Sequence, residues 1–248
     1  MLRVGQIPYL NCEPFFARLG GVELVPLTPR RLGEEVAAGR LDAGPLSLVD
    51  FLRIEPALEP LPFGIATSGP AQSVFLFSDR PLRELGGAAI GVTPETSTSV
   101  QLLRTLLALK YEVAPRAWVG PDDPCDAVLL IGDAAIRALT SGHRLPRVTD
   151  LGVEWAEWTG LPFVFARWGV RPAVPAAERR AFERRLDRAL DDGLAALPDI
   201  ARARRDTGWG EAEVEAYLRG FAYRLGAGEE KAIAEFVRLQ PFVERRSC

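Results

Sequence analysis

Through the first two-thirds of the chain, short apolar runs alternate with longer segments of helical spacing, and no other feature restricts the fold as much. A strand inside a sheet reads as a continuous apolar run, whereas a helix lying on that sheet shows apolar residues three and four apart. Their regular succession predicts strand-helix-strand units on a mostly parallel sheet. Strands are expected at Val4 to Ile7, Glu23 to Pro26 and Leu41 to Ala43, with helices at Pro14 to Leu19, Pro29 to Ala38 and Leu46 to Arg53. Two further strands, Leu58 to Ile65 and Ser73 to Ser78, lead to Asp79-Arg80-Pro81, a turn that predicts a crossover between lobes.

A second alternation follows: strands at Ala89 to Val92, Arg116 to Val119 and Ala127 to Ile131, and helices at Ser99 to Leu109 and Asp133 to Ser141. The apolar strand Phe163 to Trp168 is expected to return the chain to the first lobe. Beyond Pro175 the pattern is helical over Ala176 to Leu197, Asp199 to Asp206, Glu211 to Arg219 and Glu229 to Phe242. Two α/β lobes, two crossovers and a helical C-terminal tail make the architecture of a type II periplasmic-binding-protein-like fold. Its ligand cleft would lie between the lobes, at strand carboxyl ends and helix amino ends. The expected division is residues 1–80 plus 169–248 for lobe one and 81–168 for lobe two.

Composition narrows the partners. With 30 basic against 33 acidic residues the net charge is -3, and no broad basic field offers itself to nucleic acid or an anionic membrane. All the basic residues except Lys110 and Lys231 are arginine, and they are scattered. Cys12, Cys125 and Cys248 form no close pair and His143 is the single histidine, which argues against a metal site. No apolar run approaches the roughly 20 residues of a membrane span. The start, Met1-Leu2-Arg3-Val4-Gly5, has none of the marks of an export signal, so a cytoplasmic location is expected. A small-molecule substrate is the expected partner, and a homodimer stays open.

Five segments could carry chemistry. In Pro8-Tyr9-Leu10-Asn11-Cys12-Glu13-Pro14, Asn11 either caps the following helix or faces the cleft. Asp42 reads as a turn or cap residue, and Ser47 caps the next helix or bonds a ligand. Ser68, Gly69 and Ser73 bring small polar groups to a strand entry, as a surface turn or a place of close ligand approach. Thr96, Ser97, Thr98 and Ser99 set hydroxyls at a helix start, which suits a carboxylate or phosphate as well as plain capping. In Ile131-Gly132-Asp133, Gly132 permits close approach and Asp133 is a cap or a cleft carboxylate. His143 reads as part of a helix-ending loop. Trp155, Trp158, Phe163, Phe165 and Trp168 could wall a flat ligand, although core packing is the commoner use of such aromatics. The chain shows no serine-histidine-acid order, phosphate loop or dinucleotide fingerprint.

Taken together and in order, these segments resemble the chorismate dehydratase family of the futalosine route to menaquinone. The resemblance rests on Tyr9-Leu10-Asn11 with Pro14; Leu41-Asp42 through Ser47; Ser68-Gly69 with Ser73-Val74; Ser97-Thr98-Ser99; and Leu130-Ile131-Gly132-Asp133. It continues through Asp150-Leu151-Gly152, Trp155, Thr159-Gly160-Leu161-Pro162-Phe163-Val164-Phe165-Ala166 and Trp168, and covers most of positions 4 to 168. It implies a cofactor-free loss of water from chorismate to give 3-[(1-carboxyvinyl)oxy]benzoate. In that reading Ser97, Thr98 and Ser99 hold one carboxylate, and Ser68, Gly69 and Ser73 form the polar rim of the other lobe, with Tyr9, Ser47 and Gly132 also at the substrate. Asn11 orients the reacting group. The proton goes to Asp133 or to the substrate's own enolpyruvyl carboxylate.

Two alternatives compete. The 1,4-dihydroxy-6-naphthoate synthase family shares the fold, but resembles a site with a histidine at the second-lobe strand end, where this chain has Ile131-Gly132-Asp133. A non-catalytic cytoplasmic solute-binding protein is the other, and measured turnover separates it from an enzyme.

Overall fold

The apolar runs assemble into two sheets. The computed structural model describes residues 1–55 and 57–246, so Cys248 lies outside the described residues. The chain begins β1 (Arg3–Gln6), a 3-10 turn (Leu10–Cys12), α1 (Glu13–Phe16), β2 (Glu23–Pro26), α2 (Pro29–Ala37), β3 (Ala43–Ser47), α3 (Leu48–Ile54) and β4 (Glu59–Thr67). Then come β5 (Val74–Ser78), β6 (Ala89–Val92), α4 (Thr98–Thr105) with a π turn (Leu106–Lys110), β7 (Ala117–Val119), β8 (Ala127–Ile131), α5 (Gly132–Ser141), β9 (Arg147–Asp150) and α6 (Leu151–Thr159). Strand β10 (Phe163–Val170) precedes α7 (Ala176–Ala195), α8 (Leu197–Ala203), α9 (Glu211–Arg219), β11 (Ala222–Arg224) and α10 (Ala227–Arg246).

Unit 1 comprises Met1–Ile65 and Phe165–Arg224. Its strands run in the order β11-β4-β10-β3-β1-β2. β1 lies parallel to β2 and β3, while β3 is antiparallel to β10. Helix α2 starts with Pro29, whose missing N–H is harmless in a first turn, and buries Leu32 and Val36, one turn apart. The core centres on Phe15, with Trp168, Tyr223 and Phe63 edge-on at 5.3, 5.5 and 6.3 Å between ring centres. Each aromatic buried in this way contributes about 1.5–3 kcal/mol.

Unit 2 comprises Ala66–Val164 and the segment from Leu225 onward. Its order is β7-β6-β8-β5-β9, with β6 parallel to β7 and β8, and β5 antiparallel to β8 and β9. Helix α10 completes the core by setting Phe236 edge-on against Trp155 and Phe163, at 6.0 and 5.2 Å. Among the described residues no helix is long and apolar enough to cross a membrane.

The division differs from the expected one at both crossovers. It falls within β4 and β10, at 65/66 and 164/165, because β5 is bonded along its length to β8 and β9 of the second sheet. The last helix joins unit 2, through Phe236, where the tail was expected in lobe one. Locally, the strand expected at Leu41 to Ala43 is β3, displaced to Ala43–Ser47, and the helix expected from Leu46 begins at Leu48. Gly44-Pro45 suggests a turn, but antiparallel pairing to Gly169 and Trp168 holds both residues in the sheet. Strands β9 and β11 and helix α6 were not anticipated. The helix expected at Pro14 to Leu19 is the single turn α1, and the one at Asp199 to Asp206 is α8, ending at Ala203.

Candidate active site

One edge of the unit 2 sheet gathers most of the residues singled out in the sequence. β6 and β8 are parallel, with Val92 opposite Leu129, so both end on this edge. β5 begins there, Val74 opposite Ile131, and β9 ends there, Asp150 opposite Phe75. Helices α4, α5 and α6 therefore all start at this edge, the usual ligand-binding side of an open α/β sheet. Ser97, Thr98, Ser99, Gly132 and Asp133 lie at these starts, and Ser68, Gly69 and Ser73 lie in the segment that enters β5.

The three helix starts are finished differently. The Asp150 carboxylate caps α6, with Oδ1 accepting the N–H groups of Gly152 and Val153 at 2.8 and 3.2 Å. Neither α4, preceded by Ser97, nor α5, preceded by Ile131, has a side-chain cap. A helix start without a side-chain cap still presents the positive end of its dipole, which favours an anion. Around α4, Thr96, Thr98 and Ser99 are buried, placing hydroxyls in a low-dielectric setting. Asp133, in the first turn of α5, is only 7% exposed. Gly132 adopts φ +58°, and its N–H donates to the Ser73 carbonyl at 2.8 Å.

The segment entering β5 is built as a rigid wall. Thr67 Oγ1 donates to the Pro70 carbonyl at 3.0 Å and accepts the Gly69 N–H at 3.3 Å. Asp150 reaches back to it, accepting the N–H of Ala71 at 3.0 Å through Oδ1 and that of Gln72 at 2.7 Å through Oδ2. Gln72 is held at φ 56°, the left-handed region that a side chain seldom enters unaided. Gly152 packs beneath, where a Cβ would come within 2.5 Å of the Gly69 carbonyl oxygen. Burial pushes the Asp150 carboxyl above the ordinary aspartate value, against the lowering effect of its four N–H bonds.

These bonds change the reading of two residues. At Gly69, read as a surface turn or a place of close ligand approach, the N–H is bonded to Thr67, while the space where a Cβ would stand is open. Ser73 is buried and donates its hydroxyl to the Ala71 carbonyl at 3.3 Å, so it secures the wall, while Ser68 is exposed on it. All three belong to the same unit as Ser97, and not to the other lobe as expected.

In unit 1, β1 and β3 are parallel, Tyr9 and Asn11 follow the carboxyl end of β1, and Ser47 is the last residue of β3. Asn11 does not cap α1: it lies within the 3-10 turn, and Cys12 occupies the capping position. Its Oδ1 accepts from the Cys12 thiol at 3.5 Å. Tyr9 is half-buried against the core, with its carbonyl accepting the Cys12 N–H at 2.9 Å. Ser47 caps α3: its Oγ accepts the Asp50 N–H at 3.3 Å and donates to Asp50 Oδ2 at 2.7 Å. Arg53 completes that group at 3.1 Å from Asp50 Oδ1. Asp42 Oδ2 accepts the Arg3 N–H at 2.8 Å, a sheet-end tie.

The remaining candidates are structural. Trp155, Phe163 and Trp168 are fully buried, and the Trp155 indole N–H donates to the Pro162 carbonyl at 2.9 Å. His143 follows the far end of α5 from Asp133 and stacks on Phe77, 4.5 Å between ring centres, with burial lowering its pKa. Sequence reasoning noted Asp150 and Gly152 only as part of a motif. Asp at a strand end two residues before Gly signals a helix cap, but nothing local indicates that the same carboxylate holds Ala71 and Gln72.

The chain is similar to known proteins in sequence and in fold. A family model described as menaquinone biosynthesis matches residues 2–240. Chorismate dehydratase from Thermus thermophilus is 33% identical over 262 aligned positions, covering 94% of this chain and 94% of that protein. Among solved structures, a protein from Archaeoglobus fulgidus superposes with a TM-score of 0.73 at 17% identity, covering 97% of this chain and 96% of that one. The alkanesulfonate-binding protein from Xanthomonas axonopodis pv. citri gives 0.70 at 16%, covering 99% and 94%. Solved structures of the periplasmic-binding-protein-like fold thus superpose on the chain over nearly its whole length, as expected from the sequence. With a family match over nearly its whole length and a relative sharing a third of its residues, the chain belongs to the menaquinone biosynthesis family that includes chorismate dehydratase.

Proposed function

We propose that the protein is a chorismate dehydratase, a hydro-lyase that converts chorismate to 3-[(1-carboxyvinyl)oxy]benzoate without a cofactor. The whole-length likeness to a chorismate dehydratase carries this reading. The chemistry is within reach of such a site. The hydrogen on the ether-bearing ring carbon is vinylogously acidic through the ring carboxylate. Its C–H bond breaks, the adjacent C–O bond releases hydroxide, a ring double bond forms, and proton and hydroxide leave as water. Aromatisation drives the step. The protein contributes the pose and a clamp for two carboxylates.

In this reading the uncapped start of α4, with Ser97, Thr98 and Ser99, takes one carboxylate, and Gly132 at the start of α5, its own N–H held by the Ser73 carbonyl, lets the substrate approach the backbone closely. Ser68 lines the wall, with Gly69 and Ser73 shaping it. In unit 1, Tyr9 and Asn11 meet the substrate, Asn11 orienting the reacting hydroxyl or enolpyruvyl group, and Ser47 acts through the cap of α3. Asp133 accepts the proton, unless the substrate's enolpyruvyl carboxylate does so. The enzyme works in the cytoplasm.

The test is to mix purified protein with chorismate alone and follow the products by chromatography and mass spectrometry. Enzyme-dependent loss of water giving the substituted benzoate is expected. Binding without turnover, or only slow background products, would return the chain to the solute-binding or naphthoate synthase reading.

A further inference from the structure

Asn11 sits on one 3-10 turn, too short to be rigid by itself. Its position depends on the helices that follow β10 in unit 1. Helix α7 crosses α1 so closely that a Cβ on Gly193 would overlap the Pro14 carbonyl. Beyond α8, the Arg204 guanidinium is largely buried, its side chain 15% exposed, and donates through Nη1 to Glu13 Oε1 at 2.8 Å. Its Nε donates to Asp206 Oδ1 at 3.0 Å. Glu13 is the first residue of α1 and stands two residues after Asn11, and Cys12 between them is locked in the core.

We propose that Arg204 is a positioning residue for Asn11, fixing the 3-10 turn through its charge-assisted bond to Glu13. The proposal rests on Asn11 acting on chorismate as described above. A charge-assisted pair shielded from water is strong and directional, so it can define the entry of α1. Removing the guanidinium leaves the half-buried Glu13 carboxylate without its partner, and α1 shifts toward water to solvate it. A misplacement on the order of 1 Å in a group acting on the substrate lowers turnover by up to about a hundredfold.

The experiment compares steady-state kinetics of Arg204→Gln, Arg204→Lys, Glu13→Gln, the Glu13→Gln/Arg204→Gln double variant and Asn11→Ala, all well below their melting temperatures. Arg204→Gln is expected to lower kcat about tenfold or more with KM within about twofold. Arg204→Lys recovers part of the loss, since an ammonium keeps one bond to Glu13. The double variant is no slower than the slower single one, because both remove the same contact. If Arg204→Gln does not fold, Arg204→Lys and Glu13→Gln carry the same comparison. Wild-type kcat in the folded Arg204 and Glu13 variants, with Asn11→Ala inactive, overturns the positioning role alone. Full kcat in Asn11→Ala overturns the role of Asn11 itself, and the inference with it.

Discussion

Ser47 and Ser97 both stand immediately before a helix at the carboxyl end of a parallel strand, one in each unit, yet their settings are opposite. Ser47 closes α3 by a reciprocal pair of bonds with Asp50, so its hydroxyl serves the fold. Ser97 precedes α4 with no side-chain cap, in the company of the buried hydroxyls of Thr96, Thr98 and Ser99. Within unit 2 the contrast recurs, since Asp150 caps α6 while α5 starts without a side-chain cap. Capped starts anchor the scaffold, and uncapped ones are where an anion gains most from N–H groups and dipole.

That contrast can be broken or sharpened by substitution. The largest effect is expected for Asp133→Asn, which removes the carboxylate at an uncapped start: kcat falls about 10²–10⁴-fold while the melting temperature holds. A full-rate variant would assign the proton to the substrate's own carboxylate. Next, Ser97→Ala should raise KM for chorismate about tenfold, the value of one bond to a charged group, with stability unchanged. An unchanged KM would place the carboxylate elsewhere.

Gly152→Ala presses a methyl group on the Gly69 carbonyl oxygen, which a Cβ would approach to 2.5 Å, and should destabilise the protein by about 1–3 kcal/mol, read from urea unfolding. Ser47→Ala, the counterpart of Ser97→Ala, should remove about 1 kcal/mol of stability and leave KM unchanged. A KM effect at Ser47 equal to that at Ser97 would erase the distinction between the two starts.

The smallest effect concerns Asp150. Its folded carboxyl titrates above the ordinary value of 3.8, so in the window upward from there the folded chain holds more protons than the unfolded one. Stability contributed by this group is greatest at the low end of that window and declines as pH rises through the folded value. In Asp150→Asn that slope should disappear from thermal unfolding measured across the window, and a persisting slope would trace it to another group.

The alternation of apolar runs and helical spacings determined the α/β class, the strands β2, β6 and β8 to the residue, and the helix α9 likewise. It did so because burial of a strand or of a helix face leaves a period that survives in the chain itself. The hydroxyl run Thr96 to Ser99 and the Gly132-Asp133 pair were also legible, since a strand end followed by a helix start is a local event. Tertiary structure decided what depends on partners far along the chain. Gly44-Pro45 is strand because β10 pairs with it, and the division of the chain follows the bonding of β5 to β8 and β9. Asp150 holds Ala71 and Gln72 across 79 and 78 residues, and Arg204 holds Glu13 across 191. A hydrogen bond of that span leaves no periodicity in the sequence, because its geometry exists only once the sheet has brought the two segments together.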